Sequence, residues 1–183
     1  MAKAMVFFAT AFEEVEALTV VDLLRRANIE VDMVSIMGEK MVTGAHGITI
    51  QTDVLFEDAD LSGADALVLP GGMPGTRNLQ NHEGLKEALL KAKEQGKLLC
   101  AICAAPLVLG CNGILEGKKA SCYPGFEEEL LGAKVSYDAV SKDGNVITSR
   151  GLGTAIDFAG EIITALCSKE EADKIKEAVI YKA

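Results

Sequence analysis

Leu98-Leu99-Cys100-Ala101-Ile102-Cys103-Ala104-Ala105-Pro106 is an apolar run that ends in small residues and a proline. A strand buried on both faces reads as a continuous hydrophobic run, and Lys97 to Ile102 (KLLCAI) has that form. Pro106 suits the first turn of a helix, where its missing N–H costs little, so a helix is expected from Ala104 to about Leu109. Cys103 stands at the junction, on the C-terminal edge of a parallel sheet, where ligands of open α/β folds bind. There its sulfur would meet helix N-terminal amides, which favour thiolate and can place a cysteine pKa in roughly the 3.5–7.5 range. Ala104 and Ala105 leave room for the sharp turn of a nucleophile elbow. The competing reading is a core cysteine, since cysteine is among the most buried residue types.

The rest of the chain repeats this alternation. Upstream, Lys3 to Ala9 (KAMVFFA) reads as a buried strand, Glu13 to Ala27 as a helix stopped at Asn28, and Ile29 to Met37 as a second strand. Lys40 to Asp53, with Gly44 and Gly47, has the pattern of a hairpin. Asp65 to Leu69 (DALVL) is another buried strand, and Glu83 to Gln95 is an amphipathic helix. Downstream, shorter strands are expected over Lys118 to Cys122, Lys134 to Ser141 and Asn145 to Ser149. In the helix Thr154 to Leu166, Ile156, Phe158, Ala159, Ile162, Ile163 and Leu166 share one broad stripe. Ser168 with Glu171 forms a capping box for a last helix. Strands alternating with helices imply an α/β fold, a mainly parallel sheet covered on both faces. No repeat or linker interrupts the 183 residues, so a single domain over 1–183 is expected.

Composition narrows the function classes. A hydrophobic content of 49% supplies a sizeable core without disulfides or metal. The net charge of −9 repels phosphate backbones and anionic membranes, which argues against a nucleic-acid partner. Two histidines are too few for an ordinary His-based metal site. No apolar run approaches the roughly 18 residues of a membrane span, and the N-terminal segment lacks the order of a signal peptide. Five cysteines, an odd number, are expected as reduced thiols in a cytoplasmic protein.

Four features carry chemistry or must be weighed as doing so. Cys100 and Cys103 form C-x-x-C, but strand alternation should send them to opposite faces, and no second pair completes a zinc site. Redox-pair and metal readings are therefore set aside. Glu16 shares a helix face with Val20, Leu23, Leu24 and Ala27, an apolar stripe on which a solvated charge has no place. A carboxyl buried there has a raised pKa and can donate a hydrogen bond to a thiolate or shuttle a proton; the alternative is an edge carboxylate reaching solvent. Glu13 and Glu14 have the ordinary role of first-turn acids. Gly71 and Gly72, after a buried strand, can turn backbone N–H groups toward an anionic oxygen or can be a plain turn. Ser149-Arg150-Gly151-Leu152-Gly153-Thr154 leads into a helix but lacks the full dinucleotide fingerprint.

Glu13-Glu14-Val15-Glu16-Ala17, Val68-Leu69-Pro70-Gly71-Gly72, Ala101-Ile102-Cys103-Ala104-Ala105-Pro106 and Ser149-Arg150-Gly151-Leu152-Gly153-Thr154 together resemble the ThiJ/PfpI family, in its bacterial ThiJ-like branch. The agreement in order and spacing covers nearly the whole chain. The resemblance implies a flavodoxin-like three-layer sandwich, like that of class I glutamine amidotransferases, usually as a homodimer. It implies Cys103 as the reactive cysteine, Glu16 as its protonated partner, and the Gly72 and Ala104 amides as an oxyanion pocket, with Gly71 on the substrate side. Two departures stand out. The histidine that follows the cysteine in the protease-like branch is Ala104 here, which argues against a peptidase. The histidine that many relatives supply from the segment Ser121-Cys122-Tyr123-Pro124-Gly125 is replaced by Tyr123, which can orient a substrate but is a poor base. His46 and His82 lie in loop-like segments and are expected to be solvated. Leu18 and Val21, flanking the buried stripe, are candidates for a dimer face.

The function this implies is a cofactor-independent glyoxalase or deglycase acting on a small reactive carbonyl, a 2-oxoaldehyde or its early protein adducts. Cys103 would add to the aldehyde and Glu16 would move the protons. The alternatives are a redox sensor or holdase chaperone built on oxidation of Cys103, and a relative with a vestigial site.

Overall fold

Hydrophobic runs without polar alternation build the middle of the molecule, and the computed structural model describes residues 1–181. In chain order the elements are β1 (Lys3–Phe8), α1 (Glu14–Arg26), β2 (Glu30–Ser35), β3 (Met41–Thr43), β4 (Thr49–Gln51), β5 (Val54–Leu55), β6 (Ala66–Leu69), α2 (Gly75–Asn81) and α3 (Glu83–Glu94). There follow β7 (Leu98–Ile102), α4 (Pro106–Cys111), β8 (Lys119–Ala120), β9 (Lys134–Val135), β10 (Val140–Asp143), β11 (Val146–Ser149), α5 (Ala155–Leu166) and α6 (Lys169–Ala178). The main sheet has the order β10-β11-β7-β6-β1-β2-β5. Only the β10–β11 pair is antiparallel. Read along its parallel strands β2-β1-β6-β7-β11, this is the flavodoxin-like order, which reverses direction between β1 and β6.

The sheet is the middle of three layers. Ala4, Val6 and Phe8 of β1 face one core with α1, α5 and α6, where Val20, Leu24, Phe158, Ile162 and Ile175 pack. Met5 and Phe7 face the other, with Leu79, Leu85, Leu89 and Leu107 of α2, α3 and α4. The period of two along β1 and β7 therefore feeds both cores at once. Helix α1 ends as expected: Asn28 takes the left-handed conformation at φ 56°. Ser168 caps α6 by accepting from the Glu171 N–H.

The structure departs from the sequence reading in several places. Helix α2 was not anticipated. The strand expected over Lys134–Ser141 breaks into β9 and β10, and Lys118–Cys122 shrinks to the two residues of β8. Helix α4 begins at Pro106, two residues later than expected, because Cys103 itself makes the turn at φ 65°. Leaving the strand there, Cys103 packs against the same core as Cys100 rather than on the opposite face. The five cysteines are all free. Val21 is 5% exposed and belongs to the core, whereas Leu18 is half-buried. None of the helices among the described residues is long and apolar enough to cross a membrane.

Candidate active site

Three chain crossings meet at the C-terminal edge of the sheet, where the strand order reverses. The first is α1, whose apolar stripe carries Glu16 inward until it is 1% exposed. The second is the turn after β6, where the Gly71 N–H donates to Glu16 Oε2 at 3.0 Å. The third is the turn after β7, where Cys103 sits half-buried beside Glu16: a Cβ on Gly71 would stand 3.0 Å from Cys103 Sγ and 2.7 Å from Glu16 Oε2. The backbone of Cys103 is fixed on both sides: its N–H donates to the Ser149 carbonyl at 3.0 Å, and its carbonyl accepts from the Tyr123 N–H at 2.8 Å. A non-glycine residue at φ 65° costs on the order of 1–3 kcal/mol, and such strain persists where the surroundings over-determine it.

Burial raises the Glu16 carboxyl to about 7, assisted by the charge of Glu13 and opposed by hydrogen bonds from Cys103, Gly71 and the Leu152 amide. Burial, followed by the charge and hydrogen bond of Glu16, pushes the Cys103 thiol up to about 12, while the Ala104 and Gly72 amides pull it down. The expectation of a cysteine acidified outright by a helix terminus is thus corrected. The two groups titrate as a pair, and two of the upward causes on the thiol vanish once Glu16 takes the proton. Once the first proton is lost, the pair holds a single proton that either the sulfur or the carboxyl oxygen can carry.

Gly71 stands where a side chain would destroy this contact: a Cβ there would lie 2.5 Å from Cys103 Cβ and 2.7 Å from Glu16 Oε2. Its amide is already given to Glu16, so Gly71 holds the acid rather than offering a free donor to substrate. The Gly72 and Ala104 amides instead act to lower the Cys103 thiol. Tyr123 is half exposed, with its ring edge beside Gly151. Cys100 is fully buried and its thiol is driven up by burial, and the Cys122 thiol rises to about 11 for the same reason.

Glu14 departs most from expectation. It is a buried anchor, not a solvated first-turn acid: its Oε1 accepts from the His46 N–H at 2.7 Å, and its Oε2 meets His46 Nδ1 at 2.9 Å. Burial opposes ionisation there, yet these hydrogen bonds hold the carboxyl below its ordinary range. The β3–β4 hairpin is thereby clamped over the N-terminus of α1. His46 and its neighbours Glu13 and Glu14 also bring three potential ligand atoms within 4.8 Å of one another, a grouping that counting histidines did not foresee. His82 is likewise structural, its Nδ1 accepting from the Leu85 N–H to cap α3.

The DJ-1/PfpI family model matches residues 2–165. The chain belongs to the DJ-1/PfpI family. It is 37% identical over 184 residues to the Parkinson disease protein 7 homolog of Danio rerio, an alignment covering 98% of this chain and 97% of that protein. It is 36% identical over 182 residues to protein DJ-1 homolog B of Arabidopsis thaliana, spanning 98% of this chain but only 42% of the plant protein. A Pyrococcus abyssi protein named as a deglycase is 32% identical over 166 residues, covering 90% of this chain and 99% of its own. Among solved structures, oxidised Toxoplasma gondii DJ-1 superposes with a TM-score of 0.96 at 35% identity, covering 100% of both chains. The DJ-1/PfpI resemblance read from the four motifs thus agrees with the family match and with the three-layer fold.

Proposed function

We propose that this DJ-1/PfpI protein is a cysteine-dependent enzyme that converts 2-oxoaldehydes, free or as their early adducts, into 2-hydroxy acids without a cofactor. The observation that supports it is the convergence of Cys103 Sγ and the buried Glu16 Oε2, 3.0 and 2.7 Å from where a Cβ on Gly71 would stand, with the Gly72 and Ala104 amides lowering the thiol. As the sulfur adds to the aldehyde carbon, its proton passes to Glu16, and the new alkoxide is met by the two amides and takes a proton from Glu16. The carboxylate so regenerated removes the hydrogen on that carbon as a proton, giving an enediol. Protonation at the neighbouring carbon leaves a thioester on Cys103, and water hydrolyses it to the hydroxy acid and the thiol. The aldehyde carbon is oxidised and the ketone carbon reduced, so no external electron acceptor enters. With an early amine adduct, substitution at the same carbon expels the amine first. The name of the Pyrococcus relative supports the adduct branch.

The test is conversion of methylglyoxal to lactate by purified protein without additives, with acid quenching to trap a lactoyl thioester on the Cys103 peptide. Cys103→Ser sets the background. Product at the background rate, with no adduct, removes the proposal.

A second reading, a peroxide sensor, draws on the same pair. A thiolate that reduces two peroxide molecules becomes a sulfinate, and a protonated Glu16 beside it can donate to one of the new oxygens. The relative solved as oxidised Toxoplasma gondii DJ-1 gives this reading some support. Mild peroxide is expected to add two oxygens to the Cys103 peptide ahead of the other cysteines, with chaperone activity assayed before and after. Even oxidation over several cysteines would remove its basis.

A further inference from the structure

An open groove of about 470 Å³ lies beside the Cys103–Glu16 pair, walled by Tyr123, Pro124, Tyr137, Arg150, Leu152 and Thr154. Two of its walls, Tyr123 and Gly151, adjoin the site. The Tyr123 N–H holds the Cys103 carbonyl, and a Cβ on Gly151 would lie 3.8 Å from Glu16 Oε1. A molecule whose carbonyl carbon rests on the Cys103 sulfur can therefore extend its remaining atoms along these residues.

The charge in this groove is unusual for the chain. Of the four arginines in the sequence, Arg25 pairs with Asp53, Arg26 with Asp22 and Arg77 with Glu129. Among the described residues no carboxylate lies within ion-pair distance of Arg150; its guanidinium carbon is instead 5.8 Å from the centroid of the Tyr137 ring. Tyr137 and Tyr123 are 68% and 50% exposed, so two aromatic rings border the groove without being part of a core. In a chain of net charge −9, a guanidinium with no carboxylate in reach beside such a cleft is a local focus for anions. Its planar fork matches a carboxylate or a phosphate.

We propose that Arg150 is a specificity residue that selects carbonyl compounds carrying a carboxylate or phosphate at the end remote from the reacting carbon. This rests on Cys103 being the reactive group, as proposed above, and names the class of substrate that reaches it.

The test separates the two claims. Iodoacetate and iodoacetamide both alkylate the thiolate with loss of iodide and differ in charge, so the ratio of their rates at Cys103 cancels the thiolate fraction. In Arg150→Gln that ratio is expected to fall about tenfold at low salt, the scale of one charge-assisted hydrogen bond. Arg150→Lys, which keeps the charge, is expected to restore part of it. Protection against iodoacetate by inorganic phosphate or by acetate tells which anion the site prefers. A ratio unchanged in Arg150→Gln, including a proportional fall in both rates, or no recovery in Arg150→Lys, overturns the assignment. If no 2-oxoaldehyde is turned over, the enzymatic reading fails while the alkylation ratio still decides this one.

Discussion

Glu16→Gln is expected to cut turnover of a 2-oxoaldehyde by about 10²–10⁴-fold, the range general acid–base groups contribute, while making the folded protein more stable above neutral pH. The opposite signs come from one cause. A glutamine keeps the shape of the side chain and can still accept from the Gly71 amide, but it can neither take the thiol proton nor remove the carbon-bound hydrogen. The carboxyl it replaces is raised from 4.5 to about 7 by burial, so the native state holds its proton more tightly than the unfolded chain does. Below pH 4.5 both states are protonated and nothing is lost. As pH rises through about 7 the native state must carry a buried charge. At about 1.4 kcal/mol per unit, the wild type should lose about 3 kcal/mol relative to Glu16→Gln between pH 4 and pH 8. Denaturant midpoints of both proteins at those two pH values measure this directly. Equal midpoint differences at the two pH values would mean that Glu16 carries its charge in solvent.

The same substitution changes how Cys103 titrates. In the wild type the pair should lose its protons in two steps, the first at or below about 7 and the second well above the free-cysteine value. Alkylation of Cys103 should follow the first step, because the thiolate form with protonated Glu16 first becomes populated there. In Glu16→Gln one step should remain, displaced downward from the upper wild-type step, since the carboxylate's charge and hydrogen bond no longer raise the thiol. Peptide mass spectrometry across pH reads both profiles. A single step near 8.5 in both proteins would mean two uncoupled groups.

How far the sequence carries this site depends on whether a feature is local or made by distant segments. The strands β1, β6 and β7 were legible because burial on both faces leaves no polar residue to interrupt the run. Glu16 was legible because four apolar neighbours at helical spacing left a carboxylate unexplained. Helix α2 was not, since only Gly75, Thr76 and Leu79 are buried and Met73-Pro74-Gly75 reads as a turn. The segment from Lys134 to Ser141 alternates like a strand, yet Val135 and Tyr137 point to solvent, so no core holds it straight. Glu14 looked like a helix-dipole acid because its partners lie 32 and 34 residues away on a hairpin whose docking nothing local announces. The thiol was misjudged for a related reason: the helix terminus is local and visible, while the burial and the carboxylate that outweigh it arrive by tertiary packing. Arg150 stood in a motif already noticed, but its lack of a carboxylate in reach only becomes visible once the other three arginines are seen paired.

Gly72→Ala is expected to cost the fold several kcal/mol, and Gly71→Ala, one residue earlier, to cost the fold less while disrupting the Cys103–Glu16 pair. At Gly71 the added methyl would meet the Glu16 carboxylate, which can swing aside, and the Cys103 Cβ, which moves only with its backbone at the β7 turn. Cys103 must shift with that turn, so the Cys103–Glu16 pair is pushed apart and part of the cost falls on the fold. At Gly72 the φ of 94° is one that residues with a Cβ rarely adopt, and the methyl would meet backbone: Ala11 O at 2.5 Å, the Phe12 carbonyl carbon at 2.6 Å and the Glu13 nitrogen closer still. Those atoms belong to the crossing from β1 into α1, already pinned by the Glu13 N–H on the Gly71 carbonyl at 2.9 Å, and cannot retreat singly. Backbone strain of about 1–3 kcal/mol and overpacking of similar size add to a large part of the typical stability of a domain, 5–15 kcal/mol. Thermal unfolding and alkylation of Cys103 separate the two outcomes. Gly72→Ala should unfold many degrees earlier, whereas Gly71→Ala should melt closer to wild type but lose the two-step titration. A Gly72→Ala protein of unchanged melting temperature would mean that the β6 turn and the β1–α1 crossing can move apart, and that the amides lowering the thiol are not rigidly held.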